Sequence, residues 1–88
     1  MRAGSNKISE FERAAVAGRV EAQYELGLLY STGQGAARDY VAAHMWLNIA
    51  SVRGNAAARR LRAELAGDMS RDEIAEAQRR AREWLARH

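Results

Sequence analysis

The sequence predicts an all-α chain of about five helices folded as antiparallel hairpins, and three observations predict it. The 88 residues contain no Pro and nineteen Ala, with Leu, Arg, Glu and Gln filling much of the rest. That mixture favours helix and lacks the residue that most disrupts it. Apolar residues recur at helical spacing and nowhere alternate with period two, so no strand is predicted. Glycines punctuate these stretches, at Gly18, Gly33, Gly35, Gly54 and Gly67, where a helix stops.

The first helix is predicted over 6–17. Ile8, Phe11, Ala14 and Ala15 share one face, and Gly18 ends it; a Ser9–Glu12 capping box would start it later. The second spans 20–31, with Ala22, Leu26 and Leu29 as its buried stripe and Tyr30 at the margin. Thr32-Gly33-Gln34-Gly35 must turn the chain. Asp39 opens the third helix as its N-cap. Ala43, Trp46, Leu47 and Ala50 form its stripe, and Gly54 closes it. The fourth runs over 55–66 with Ala58, Leu61 and Leu65 inward, and Gly67 ends it. The fifth has the clearest start, Ser70-Arg71-Asp72-Glu73, a capping box flanked by a Met69–Ile74 hydrophobic staple. Its apolar face is Ile74, Ala77, Ala81, Trp84 and Leu85. Glu76–Arg80, Arg79–Glu83 and Glu83–Arg87 are spaced as i,i+4 ion pairs, each worth a few tenths of a kcal/mol, so packing carries the stability.

The spacing of these elements is regular. Gly18 and Gly54 are 36 residues apart, and the same shift puts Phe11 on Leu47, Ala14 on Ala50, Ala22 on Ala58 and Leu29 on Leu65. Small falls on small and large on large. A fixed period of this length is the signature of a helical solenoid, here a right-handed α–α superhelix of antiparallel hairpins. The residues Gly18, Ala22, Leu26, Gly27, Tyr30, Gly33 and Gly35, followed by Asp39, Ala43, Trp46, Ala50, Ser51 and Gly54, resemble the Sel-one-like repeat family, a relative of the tetratricopeptide repeat. Ser51 stands for the family's second Ala, and Ala36 for a frequent Val. The match is close over 11–58 and fades beyond, where Arg62 and Ala63 replace a Leu-Gly pair and Ala66 a Tyr. The resemblance divides the single domain, residues 1–88, into a partial N-terminal helix (6–18), a full repeat (19–54), and a partial repeat with a C-terminal capping helix (55–88).

Composition narrows the function. No Cys means no disulfide and no thiolate metal site. No apolar run is long enough for a membrane span, and the first seven residues lack the apolar core of a signal peptide. The expected location is therefore cytoplasmic, or periplasmic or secreted if the chain is a fragment. Net charge is +3, and the excess lies entirely in residues 45–88, with nine basic and six acidic groups.

No catalytic, cofactor or metal residues are predicted. His44 is expected at the surface without a carboxylate or second His at i±3 or i±4, and His88 is expected to fray. Neither meets the needs of a metal site or a general base. None of the serines fits a nucleophile motif, Ser9 and Ser70 reading instead as caps. Gly33-Gln34-Gly35 is too short for a phosphate loop. The acidic group Asp68, Asp72, Glu73 and Glu76 is explained by a helix N-terminus.

What remains is recognition. The resemblance implies a non-catalytic adaptor that binds another protein. First helices line the concave face of a solenoid, so Arg19, Gln23, Tyr24, Leu28 and Ser31 of the second helix are the predicted contact residues, with Tyr24 and Leu28 as apolar anchors. The alternative is an Arg-rich nucleic-acid-binding accessory protein, resting on Arg59, Arg60, Arg62, Arg79, Arg80 and Arg82, a set interrupted by glutamates. Ile8 and Phe11 of the first helix are expected to pack within the chain or to form a homodimer.

Overall fold

The computed structural model describes residues 7–88. Asn6, where the first helix was expected to begin, lies outside them. Among the described residues the chain is five helices and no strand: α1 Lys7–Val16, α2 Val20–Thr32, α3 Tyr40–Val52, α4 Ala56–Ala66 and α5 Arg71–Arg87. Successive helices from α1 to α4 pack on one another, α4 also touches α2, and α5 lies along α3. The result is a solenoid of helical hairpins in two layers, α2 with α4 and α3 with α5.

The repeat is visible at the level of single hydrogen bonds. Gly18 and Gly54 both adopt φ +100°, a conformation open to glycine but costly for any residue with a Cβ. Before the first, the amides of Gly18 and Arg19 donate to the carbonyls of Ala15 and Ala14, both at 3.0 Å. Before the second, the amides of Gly54 and Asn55 donate to those of Ser51 and Ala50, also at 3.0 Å. Shifting the first pair by 36 gives the second. This Schellman-type ending satisfies the last helical carbonyls and reverses the chain in the same way twice.

Two apolar clusters hold the layers together. Ala43, Leu47, Ala50, Ala58 and Leu65 form one, reached by Val20, Tyr24, Leu61 and Met69. The other is Ala15, Ala22, Leu26, Trp46, Ile49 and Ala81, with Ile8, Phe11 and Trp84 against it. Ile8 and Phe11 thus pack within their own chain. The closest approach is between α2 and α3. A Cβ built on Gly27 would lie 2.6 Å from Cγ and Cδ2 of the fully buried Leu47, and 3.3 Å from the Ala43 carbonyl oxygen. Tyr30 locks the same hairpin. Its hydroxyl donates to Glu12 Oε2 at 2.9 Å, and its carbonyl accepts from the Asp39 amide at 3.0 Å. Burial, reinforced by the Glu12 carboxylate, pushes the phenol up to about 12.

The caps form at Asp39 and Asn55, whose side chains accept from the amides of Ala42 and Ala58, and at Ser70 with Glu73 as a reciprocal capping box. Four details differ from expectation. Ser9 lies inside α1, so no Ser9–Glu12 box forms, and Glu12 is used by Tyr30 instead. Gly67 ends α4 at φ −64°, without the freedom only glycine has. Leu29 is half-buried and belongs to neither cluster, because α2 rotates Gly27 rather than Leu29 onto α3. Of the three expected ion pairs, Arg79–Glu83 and Glu76–Arg80 form at 2.8 and 2.6 Å, but Glu76 also takes Arg79 at 2.6 Å, and Glu83 bonds to Arg79 rather than to Arg87.

Gly27→Ala should test the close approach. The methyl gains about 1 kcal/mol of helix propensity but overpacks a site where Leu47 has no free volume, at about 1–3 kcal/mol. The expected outcome is a net loss of stability in chemical denaturation. A gain would mean that the α2–α3 contact is looser than described. Trp46→Ala, which empties a site packed edge-on against Trp84 at 5.7 Å between ring centres, should lower stability by about 3–5 kcal/mol.

Candidate functional site

The residues predicted for partner contact separate into four settings. Tyr24 and Leu28, one helical turn apart on α2, line a groove of about 200 Å³ between α2 and α4. Ala57, Arg60, Leu61 and Glu64 of α4 form its other wall. Tyr24 also reaches the cluster around Leu47, so its ring is half structural and half groove wall. Ser31 is turned back on its own helix, its hydroxyl donating to the Leu28 carbonyl at 2.8 Å. Arg19 is exposed at the start of α2 and lines a different groove, between α1 and α2.

Gln23 is not a contact residue. It is fully buried, and its Nε2 donates to the Ala15 carbonyl at 3.0 Å. This fastens the end of α1 to α2, while Oε1 has no partner among the described residues. A buried amide must be bonded to offset its lost hydration, and here one half of it is. The groove residues of α4 were not foreseen. The period itself would have found two of them, since Tyr24 and Arg60, and Leu28 and Glu64, each differ by 36.

His44 also departs from expectation. It is 3% exposed, not on the surface. Its Nδ1 is buried without a partner, and Arg62, which donates to the Asn48 side chain one turn along α3, lies nearby. Burial first, and the Arg62 charge second, hold its pKa below the usual value near 6.5. Neutral imidazole can donate or accept, but no nucleophile or carboxylate bonds to it here. Among the described residues no group of three His, Cys, Asp or Glu is placed to hold a metal ion. No helix among them is long and apolar enough to cross a membrane.

Half of the six arginines in the basic clusters are engaged within the chain, and Arg59, Arg60 and Arg82 are exposed. Arg79 and Arg80 are bonded to Glu76 and Glu83, pairs that are solvent-exposed and worth little to stability. Arg62 is held by Asn48. Trp84 meets Trp46 by its edge, is stacked on the His88 ring at 3.9 Å, and lies under the Arg53 guanidinium at 5.3 Å. His88, expected to fray, is therefore packed, its Nδ1 2.8 Å from the Trp84 carbonyl.

A family model described as Sel1 repeat matches residues 20–55, the segment that begins with α2, includes α3 and ends at the N-cap of α4. The segment is a Sel1 repeat. Its two helices are the hairpin closed by Gly27 on Leu47. The Sel1 repeat is a helical interaction module, and its first helix supplies Tyr24 and Leu28 to the α2–α4 groove. No curated protein matches the chain.

The His44 site gives a pH prediction. Because the folded pKa is depressed, the unfolded chain binds the proton more readily. Stability is therefore constant with pH above about 6.5 from this group and falls as pH drops below it, until the folded pKa is reached. His44→Leu should remove that fall. Denaturant midpoints measured between pH 7.5 and 5.5 that decline equally in wild type and variant would assign the decline to other groups.

Proposed function

We propose that the chain is a non-catalytic adaptor that takes a protein partner in the α2–α4 groove. The carrying observation is the placement of Tyr24 and Leu28 opposite Leu61 across an open cleft, three partly exposed apolar side chains from two helices on one wall-to-wall surface. Such a cluster suits a short apolar anchor from another chain. The groove holds one charge of each sign, Arg60 and Glu64, so the contact would be close to neutral and driven by burial. The Sel1 repeat supports the interaction role in general; the choice of this groove rests on its lining. The nucleic-acid alternative needs free arginines beside an open stacking face; Arg59, Arg60 and Arg82 are exposed, but Arg62, Arg79, Arg80 and the aromatic Trp84 are engaged within the chain.

The test is affinity capture on the immobilised chain, comparing wild type with Leu28→Asp and with Tyr24→Ala/Leu28→Ala. Both variants are to be checked for retained helix by circular dichroism. Leu28→Asp leaves the Tyr24 packing intact, so it separates binding from folding. The expected result is loss of the captured protein with both variants, and little change when salt is raised from about 50 to 200 mM. A nucleic-acid complex would instead weaken steeply over that range. Capture unaffected by Leu28→Asp would remove the groove from consideration.

A further inference from the structure

A second groove lies on the far side of α2. It is formed by Phe11 and Ala14 of α1 and Ala22 of α2, rimmed by Glu10, Glu21 and Glu25 with Arg19 at one end, and has a volume of about 360 Å³. The period shows what this surface is. Shifting Phe11, Ala14 and Ala22 by 36 gives Leu47, Ala50 and Ala58, which are fully buried where α2 sits on them through Val20 and Tyr24. The α1–α2 groove is thus the same helix seat that α3 and α4 offer to α2. No helix lies on it among the described residues. The small side chains on its floor permit close approach, as Gly27 does on Leu47.

The two seats differ at the rim. Glu10, Glu21 and Glu25 correspond to Trp46, Ala57 and Leu61 in the inner seat. Three apolar positions have become three carboxylates, against a single cation, on a chain whose net charge is +3. Apolar floor and acidic rim together define the complement: a helix with one apolar stripe and basic residues on its flanks. We infer that the α1–α2 groove is a second docking surface, distinct from the α2–α4 groove, for a basic amphipathic helix of another protein. Its apolar stripe would carry a small residue opposite Phe11, as Gly27 stands opposite Leu47 inside the chain. A second copy of this chain is disfavoured, because its own net positive charge is repelled at distance.

The probe is a synthetic amphipathic Leu/Ala helix of about 18 residues, long enough to hold helix, with Lys on its flanks. A matched peptide carries Glu at the same positions. Affinity is measured by fluorescence anisotropy, and the contact is mapped by amide chemical shifts. The Lys peptide should bind at least about tenfold more tightly than the Glu peptide, weaken as salt is raised, and shift the amides around Phe11, Ala14 and Ala22. Glu21→Lys/Glu25→Lys should reverse the preference, and Glu21→Gln/Glu25→Gln should reduce it without adding repulsion. Leu28→Asp should leave it unchanged, which separates this surface from the α2–α4 groove. Equal binding of both peptides, no binding, or shifts confined to Leu28 and Leu61 would overturn the inference. So would concentration-dependent dimerisation in sedimentation that Glu21→Lys/Glu25→Lys abolishes, since the occupant would then be a second copy.

Discussion

The contact of Gly27 with Leu47 sets the geometry of the chain. A helix axis can come this near its neighbour only where one side supplies a hydrogen atom instead of a methyl, and the Cβ position on Gly27 is already occupied by Leu47. The remaining orientations follow from that seating. With Gly27 against α3, Ala22 and Leu26 turn towards the cluster around Trp46 and Ile49. Gln23 turns towards the end of α1, and Tyr24 and Leu28 turn towards α4. A rotation of α2 by one residue would bury a different set and close neither hairpin. The glycine costs helix propensity, and the close packing it permits offsets that cost.

Local signals were legible in the sequence because they are satisfied locally. Ser70 and Glu73 need only their own helix to form a box, and Asp39 needs only the amide three residues on. Gly18 and Gly54 announce a φ that no side chain tolerates well, whatever surrounds it. The apolar stripe of α3 was equally clear, since Ala43, Trp46, Leu47 and Ala50 are all buried. What escaped was the burial of Gln23 and His44. A stripe argument assumes that a helix is covered along one face. α2 is covered by α1 and α3, and α3 by α2, α4 and α5, so the buried arc is wide enough to take in polar residues beside the stripe. Nothing about Gln or His by itself announces this; the number of neighbours decides it.

Charge was legible in amount and not in arrangement. The basic excess in residues 45–88 underlay the nucleic-acid alternative; within the fold Arg53, Arg62, Arg79 and Arg80 are engaged, while Arg59, Arg60 and Arg82 stay exposed. Glu76 gathers two guanidiniums, and its pKa is lowered by the bonds to Arg79 and Arg80. Arg53 lies over Trp84. Only a structure shows that Arg79, four residues before Glu83, takes that carboxylate in place of Arg87, four residues after it, because side chains on one exposed helix face exchange among neighbours of similar energy.

The period makes one more comparison possible, between what the repeat preserves and what it varies. Backbone endings and floor residues keep their character across the shift: Gly18 with Gly54, Ala14 with Ala50, Ala22 with Ala58. The cap does not, since Asn55 caps α4 where Arg19 makes no side-chain cap bond to α2. Even exposure is preserved, since Val16 and Val52, 36 residues apart, are the two large apolar side chains left exposed among the described residues. The variation is concentrated where a helix seat meets solvent. Tyr24 and Leu28 become Arg60 and Glu64, and Trp46, Ala57 and Leu61 stand where the outer seat has Glu10, Glu21 and Glu25. A helical repeat tolerates this because its stacking energy comes from the floor of each seat, which excludes water, whereas rim charges add little to stability. Rim positions are therefore free to set which chain is accepted and which repelled, and on this molecule the seat that α3 and α4 offer to α2 and the seat between α1 and α2 carry different rims on equivalent frames.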